Sequence, residues 1–420
     1  MDVLIRGVEL NGQQVDVGIS GNRFSEIAPE IHKSAQTILE GAGMALLPTF
    51  WNAHTHAAMT LLRSAADDLE LHTWLQEYIW PLEGELGEED IYHGTRLACL
   101  EMIKSGTTGF SDMYWHFSGV ARAVEEMGMR AVLSSVFIDF NDEKRAKKQR
   151  EETSWLFGEM EPYSDRIHFS MGPHAIYTVS ETSLRWAADF AKQYDLLLQI
   201  HLSETRKEVD DCLEAHGMRP VCWLDSIGVL SQNVLIAHAI HLDEEEMAIL
   251  AERGVKVAHC PVSNMKLASG NFPYTGLKER GVALFLGTDG CASNNNLDML
   301  EEMKMAALHA KLVHRDPTVL SAKEAFEMAT QGGRAMGLNT GRIEVGALAD
   351  CMLVDLSNHR LAPGHHLITD LVYSADRGCI DTVFCDGKIL MRHGYVEGEE
   401  KIVAEAQAYK KRFSGKTKHG

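Results

Sequence analysis

Eight short apolar runs recur between residues 46 and 289: ALLPTFWN, TTGFSD, RAVLSSVF, RIHFSMGP, LLLQIHL, NVLIAHA, VKVAHC and VALFLGT. Stretches of helical periodicity separate them, among them EEDIYHGTRLACLEMIKSG, SGVARAVEEMGM, SETSLRWAADFAKQY and LDEEEMAILAERG, several closing on Gly. This alternation builds parallel sheets, because a parallel neighbour is reached only through a long crossover connection. The span from 46 to 289 is close to the roughly 250 residues of a (β/α)8 barrel. SAKEAFEMATQGGRAMG is the helix expected to close it.

The two ends have a different texture. Residues 1–45 read as strands broken by Asn-Gly and Gly-Asn, which is hairpin chemistry. Strand-and-turn pattern returns after 341 with ALADCMLVDL and DTVFCDGKILMRHG, and the chain ends in KIVAEAQAYKKRFSGKTKHG, a terminal helix with a basic end. The expected fold is therefore α/β: a TIM-type barrel over 46–340 with a small β-sandwich formed by 1–45 and 341–420.

Composition excludes some partners. Forty basic against sixty acidic residues leave a net charge of −20, the wrong sign for a protein that neutralises phosphates. The uncharged stretch 41–62, GAGMALLPTFWNAHTHAAMTLL, carries Pro48, Asn52, His54 and His56 in its middle, which argues against a membrane span. Eight cysteines without a CxxC pair, behind a start that lacks a signal-peptide core, read as reduced thiols in a cytoplasmic protein. The run DEKRAKKQREE at 142–152 reads as a solvated helix face, and no P-loop, HExxH, GxSxG or HxE…PCxxC motif is present.

The ends of the strands carry the chemistry. In such barrels the active site sits at the carboxyl ends of the strands. Here the first run ends in His54-Thr55-His56, the second in Asp112, the fourth in His174 and the fifth in His201 with Glu204 beyond. The sixth ends in His238, the seventh in His259 and the eighth in Asp289. His54 and His56 are i, i+2 and share one face of a strand. His201 and Asp289 follow apolar runs that would bury them without a partner, a costly state. Imidazoles and a carboxylate from three strand ends suit a zinc-type site. The fourth strand has no Lys to bridge a second ion, so one ion is expected.

Such an ion supplies an acidified water and needs a proton carrier beside it. Glu204 could reach a substrate, or Ser203-Glu204 could simply cap the following helix. His238 could hydrogen-bond the nucleophile, or be a satisfied core histidine. His259 could brace the rim with Asn264. Cys291 lacks a paired base, and His365-His366 carries no signal.

At this point the chain resembles the amidohydrolase superfamily, in the branch of 5′-methylthioadenosine/S-adenosylhomocysteine deaminases. The similarity runs nearly end to end and is strongest in NAHTHAAMTLLRSAADDLELHTWLQEYIWPLE, EMIKSGTTGFSDMY, MGPHAIYTVS, QIHLSET, HCPVSNMKLASG and LGTDGCASNNNLDM. The resemblance implies His54, His56, His201 and Asp289 as ligands of one divalent metal ion, Zn2+ first and Fe2+ or Mn2+ next. It implies Glu204, His238 and Asp289 as catalytic groups, with Glu204 shuttling protons. Glu83 is implied on the ribose hydroxyls and His174 against the nucleoside, with Glu204 and Asp289 also meeting substrate.

The implied reaction converts an adenosine-type nucleoside (5′-methylthioadenosine, 5′-deoxyadenosine, adenosine or S-adenosylhomocysteine) to its inosine analogue and ammonia, in a homo-oligomer. One departure counts against S-adenosylhomocysteine. Members acting on it carry an Arg after the third strand, and RAVLSSVF offers Ser134 or Ser135 there, with Arg145 or Lys147 as substitutes. A guanine- or pterin-type deaminase or a triazine hydrolase on the same scaffold is the alternative, and a non-catalytic scaffold the reading from another class.

Overall fold

The computed structural model describes residues 1–160 and 162–412. Eight parallel strands follow one another around a barrel in strict chain order: Phe50–Thr55, Thr107–Asp112, Arg130–Phe137, Ile167–Pro173, Leu197–Leu202, Val234–His238, Lys256–His259 and Ala283–Leu286. Their burial is nearly continuous, as expected of strands covered on both faces. Glu88–Lys104, Phe117–Met127, Glu181–Tyr194 and Glu244–Arg253 are helices where the periodicity predicts them. Glu143–Gly158 presents its charges to solvent, with Lys147–Glu151 and Lys148–Glu152 pairs along an exposed face.

Both chain ends contribute to one mixed eight-stranded sheet. Val3–Leu10, Gln13–Ser20 and Arg23–Ala28 form a meander. Met44–Pro48 lies parallel to the first of these and antiparallel to Cys351–Asp355, which continues into the hairpin Ile380–Cys385/Lys388–Met391. Its core is its own: Ile5, Val17, Phe24, Leu46, Leu353 and Phe384 pack together. Arg130, 2% exposed, ties it to the barrel by pairing with Asp350 and Asp386. The terminal helix runs Glu399–Arg412, and the basic end at 413–420 lies outside the described residues.

Two elements differ from the sequence expectation. The run ALLPTFWN is two strands, Met44–Pro48 in the mixed sheet and Phe50–Thr55 in the barrel. The chain changes sheets at Thr49, whose hydroxyl bonds that of Thr108 at 2.6 Å. The closing helix is also divided, into Ala322–Thr330 and Gly332–Ala335. Gly332 and Gly333 lie against the Trp51 ring, where a Cβ would come within 2.5 and 2.8 Å of it, so the chain turns at the one place a side chain does not fit. Among the described residues no helix is long and apolar enough to cross a membrane.

Candidate active site

The barrel's seam builds the site. Gly287 passes so close to the first strand that a Cβ there would lie 2.8 Å from both the nitrogen and the oxygen of His54. Asn52 stitches this approach: its Oδ1 accepts from the Thr288 N–H at 3.0 Å and its Nδ2 donates to Thr288 Oγ1 at 2.7 Å. Asp289 N–H then donates to His54 O at 3.0 Å, and Asp289 takes a left-handed backbone at φ +61°. That conformation is uncommon for a residue with a Cβ and recurs where structure is over-determined at functional sites.

One nitrogen or oxygen from each of His54, His56, His201 and Asp289 falls within a 4.8 Å cluster. His56 Nε2 is 3.2 Å, and His54 Nε2 3.7 Å, from Asp289 Oδ1. The other carboxylate oxygen accepts from Ser263 Oγ at 2.7 Å and Ser293 Oγ at 3.0 Å, so only Oδ1 faces the imidazoles. His56 Nδ1 bonds Met113 O and His201 Nδ1 bonds His174 O, both at 2.7 Å. A carbonyl only accepts, so both Nδ1 atoms carry protons and both Nε2 atoms point inward, 3.3 Å apart.

Glu204, beyond the fifth strand, is 7% exposed, and its carboxyl lies 3.4 Å from Ser269 Oγ and 3.7 Å from His238 Nε2. The helix that follows it, Arg206–His216, is capped by Thr205, not by Glu204, whose side chain is free to face the cluster. His238, at φ +74°, accepts from Asn264 Nδ2 at 3.0 Å on Nδ1, which leaves its proton on the nitrogen turned to Glu204. Asn264 thus braces His238 and not His259, which stacks on Phe272 at 3.9 Å. His174 bonds Thr178 Oγ1 at 2.9 Å through Nδ1 and lines the same pocket. Asp112 stands apart from the cluster: it accepts from the Ala57 N–H at 2.7 Å and fixes the exit of the first strand.

The rest of the pocket comes from the segment that covers the barrel mouth. Leu71, Trp74, Leu75, Trp80 and Glu83 line it, facing Tyr114, Trp115, Val136, Ile138 and Tyr177. Glu83 Oε1 and the Tyr114 hydroxyl are buried beside each other, and neither makes a hydrogen bond of good geometry. Neither serine of the third strand reaches this space. Ser134 bonds Ser170 and Gln199 inside the barrel and Ser135 bonds Thr153 on the outer helix, so the apolar Val136 and Ile138 are what that strand presents. Lys147 is turned to Glu151 on the surface. The Arg145 guanidinium lies 5.3 Å over the Phe140 ring, which in turn meets Trp80 at 6.0 Å.

Residues 45–390 match the model of the Amidohydrolase family. The chain belongs to the amidohydrolase family. It is 46% identical over 412 residues to a 5′-deoxyadenosine deaminase of Methanoregula boonei, covering 96% of this chain and 93% of that protein. It is 46% identical over 402 residues to 5-methylthioadenosine/S-adenosylhomocysteine deaminase 1 of Archaeoglobus fulgidus, covering 94% of each. A solved adenosine deaminase of Xanthomonas campestris with bound zinc superposes at a TM-score of 0.92 with 35% identity over 98% of both chains. Triazine hydrolase and guanine deaminase structures match at 21–22% identity and share the fold alone.

In this amidohydrolase the donor set fits a single zinc ion. His54 Nε2 is buried without a partner, and the Nε2 atoms of two further imidazoles face each other beside a carboxylate, an arrangement that a cation satisfies. The titration of the metal-free cluster agrees. Burial and the neighbouring imidazoles hold His54 and His201 well below the usual histidine range. Burial works against a charged His56 too, but the hydrogen bond and charge of Asp289 prevail and raise it to about 9. Burial would raise Asp289, and the imidazoles hold it well below the usual carboxylate range instead. A proton on His56 thus stands where the cation's charge belongs. Burial raises Glu204, and raises Glu83 to about 7 against the opposing pull of Tyr114 and His56. Burial also pushes the Cys291 thiol far up, which leaves it inert.

Several of these partners carry no signal in the sequence. Ser263 and Asn264 lie on the short helix Pro261–Lys266 and Ser293 on Cys291–Asn294; Asn264 is expected from the sequence to brace the rim, but nothing in HCPVSNMKL or ASNNN marks the two serines as turning inward. Tyr114 and Trp74 look like ordinary aromatic core.

Proposed function

We propose that the protein is a metal-dependent hydrolytic deaminase of adenosine-type nucleosides. The observation that carries the reading is Glu204: a buried acid with a raised pKa, turned toward the ligand cluster and attached to no basic partner other than His238. Deamination needs such an acid. Water adds at C6 of the purine, N1 must be protonated so that the ring can accept the electron pair, and the amine leaves as ammonia. Glu204 is assigned one water proton for N1, which the product keeps, and then the passage of the second, from the hydroxyl added at C6, to the leaving amine; His238 is assigned the orientation of the attacking water. A positioned proton carrier of this kind contributes about 10²- to 10⁴-fold.

His54, His56, His201 and Asp289 would hold the ion, which when bound acidifies water enough to be a nucleophile near neutral pH. Asp289 in addition offers its Oδ1 to a proton from that water. The aromatic walls, Trp74, Trp80, Trp115 and Tyr177, suit a flat ring. The buried Glu83 oxygen and Tyr114 hydroxyl suit ribose hydroxyls, which a bare guanine, pterin or triazine ring lacks. His174, kept neutral by burial that lowers it to about 3, is assigned to the nucleoside. An intact ligand set beside Glu204 speaks against a non-catalytic scaffold.

The 5′ end is read by Val136 and Ile138, with Arg145 one ring removed from the pocket on Phe140. A 5′-deoxy or 5′-methylthio group fits this wall better than the charged tail of S-adenosylhomocysteine. Cytoplasmic location, supported by eight unpaired cysteines, and assembly as a homo-oligomer belong to the same proposal. The test is ammonia release by zinc-loaded protein from adenosine, 5′-deoxyadenosine, 5′-methylthioadenosine, S-adenosylhomocysteine, guanine and a pterin. The expected result is turnover of the adenosines with S-adenosylhomocysteine lowest by kcat/KM. Activity confined to guanine or the pterin overturns the nucleoside reading.

A further inference from the structure

We infer that Glu208 is the positioning residue for Glu204, holding the Ser203–Glu204 backbone so that the Glu204 carboxyl reaches over the ligand cluster. The inference rests on the deaminase reading in taking Glu204 as the proton carrier. Glu208 lies in the first turn of helix Arg206–His216 and is 3% exposed. Among the described residues it forms no ion pair. Its two oxygens take two successive backbone donors instead: Oε1 accepts from Ser203 N–H at 2.8 Å and Oε2 from Glu204 N–H at 2.9 Å.

An N3 glutamate ordinarily returns to the N–H of the helix cap. Here the cap is Thr205, whose hydroxyl accepts from Glu208 N–H at 3.2 Å, and the glutamate, though the Thr205 N–H also acts on it, places its two closest bonds on the two residues before the cap. Those two residues need holding. Ser203 is left-handed at φ +54°, and its carbonyl accepts from Ile240 and His241 N–H at 3.0 and 2.9 Å, beyond the end of the sixth strand. The peptide is thus clamped from the helix on one side and from the His238 loop on the other. Burial raises the Glu208 acid to about 8 against the pull of these N–H groups, so an acid here is a costly choice for a helix cap. Its carboxyl group is nonetheless well matched to fixing two adjacent N–H groups, since it offers two oxygens at that spacing, each able to accept. The side chain of Glu204, relieved of any capping duty, then extends to Ser269 and His238.

The test is Glu208→Gln in the zinc-loaded protein. Glutamine has the same shape, but one end becomes an amide that faces an N–H donor. The expected outcome is a kcat lower by about 10- to 100-fold, with KM within about twofold and zinc content unchanged, the size of loss a displaced reacting group causes. Because the effect passes through Glu204, Glu208→Gln added to Glu204→Gln should cost nothing further. Full kcat in Glu208→Gln overturns the inference, and so does a double variant slower than Glu204→Gln by the whole factor of the single. Glu208→Asp keeps the carboxyl group and withdraws it by one methylene. If Glu208→Gln fails to fold and Glu208→Asp folds with unaltered kcat, Glu208 is a structural cap and the inference falls. A crystal structure of Glu208→Gln reads the same point without substrate, through the Glu204 carboxyl leaving Ser269. It therefore separates a failure here from a failure of the deaminase reading, which the ammonia panel decides on the unaltered chain.

Discussion

The two walls of the pocket are made from different material. The ligand wall stands on the ends of parallel strands, and backbone bonds between neighbours fix it: His201 N–H to His174 O, Asp289 N–H to His54 O and Met113 N–H to Thr55 O, each at 3.0 Å. The opposite wall is the covering segment between Ala57 and Glu83. It is a 3-10 turn (Ala57–Leu62), a loop with left-handed Ser64 and Asp68, and a short helix from Leu71 that widens into a π-helical stretch at Trp74–Ile79. Few bonds moor its loop to the barrel: Arg63 to Glu101 of the helix Glu88–Lys104, Lys266 to Asp67 and Asn295, and Asn295 Nδ2 to Ser64 Oγ at 3.0 Å. An ion tolerates little error in its donors, so its wall is built where the backbone cannot shift. A nucleoside must enter and leave, so the wall that grips it is built where the backbone can.

Removing a ligand should therefore be the most damaging change, and damaging whatever the substrate. His201→Ala is expected to lose the zinc and at least about 10⁴-fold in kcat/KM, since without the ion the attacking water reverts to its ordinary basicity. Metal analysis with ammonia release checks both. Chelation should abolish activity in the unaltered chain and zinc restore it. A His201→Ala protein that holds zinc stoichiometrically and turns over would show that the cluster is not the ion's site.

A change on the covering side should be smaller and should depend on substrate. Glu83→Gln is expected to lower kcat/KM for 5′-deoxyadenosine about 10- to 100-fold, the worth of a hydrogen bond to a charged group of about 1.5–3 kcal/mol. Zinc content and the slow turnover of free adenine should barely change. Equal losses on nucleoside and free base would erase the distinction between the walls.

The same division governs what could be read from the chain. His54, His56, His201 and Asp289 were legible because each ends an apolar run, and a polar residue at that point needs a partner. The eight strands were legible from the same runs, except where ALLPTFWN ran two strands together. Their meeting point at Thr49 is marked only by Pro48, a breaker that also suits a single strand's edge, and which sheet each half pairs with decides the division. The covering segment offered no such logic. Glu83 follows Trp80-Pro81 in what reads as surface, and only resemblance raised it to a site residue. Its environment is made by Tyr114 and His56, brought in from the first and second strands by the fold. Ser134 and Ser135, expected at the position where the carboxylate-binding Arg would stand, miss the mouth for a related reason. A one-residue change of phase on a strand sends one side chain into the barrel and the next outward, and both miss the mouth.

Titration sharpens the comparison without mutating the metal wall. In metal-free protein burial raises the Glu83 carboxyl to about 7, while His56 lies at about 9 and His174 at about 3, so these imidazoles do not titrate near neutrality. Below pH 7 Glu83 is a carboxylic acid with one good acceptor oxygen, and above it a carboxylate with two. Binding of an inosine-type product to the metal-free chain should tighten several-fold as pH rises from 6 to 8, and Glu83→Gln should flatten that rise. Calorimetry measures it, and a rise unchanged in Glu83→Gln would assign the titration elsewhere.

The smallest effect is expected at the mooring itself. Lys266 stands just past the seventh strand, in HCPVSNMKL, and joins Asp67 of the covering loop to Asn295 of the loop beyond Asp289. Its side chain and that of Asp67 are 25% and 30% exposed, so water and salt screen the pair and about 1 kcal/mol is a fair upper value. Lys266→Met keeps the aliphatic stem and removes the charge. If the bond helps hold the cover closed over a bound nucleoside, KM should rise about two- to fivefold. Zinc content should stay the same, and backbone amide exchange should quicken over residues 63–80 but not along the eight strands. High salt should bring the unaltered protein toward the variant, because screening acts on this contact and not on the buried ligand wall. Unchanged KM together with unchanged exchange over 63–80 would mean that the cover rests on the packing of Leu71, Trp74 and Ile79 and on the Arg63–Glu101 and Ser64–Asn295 contacts, and that both walls are equally fixed.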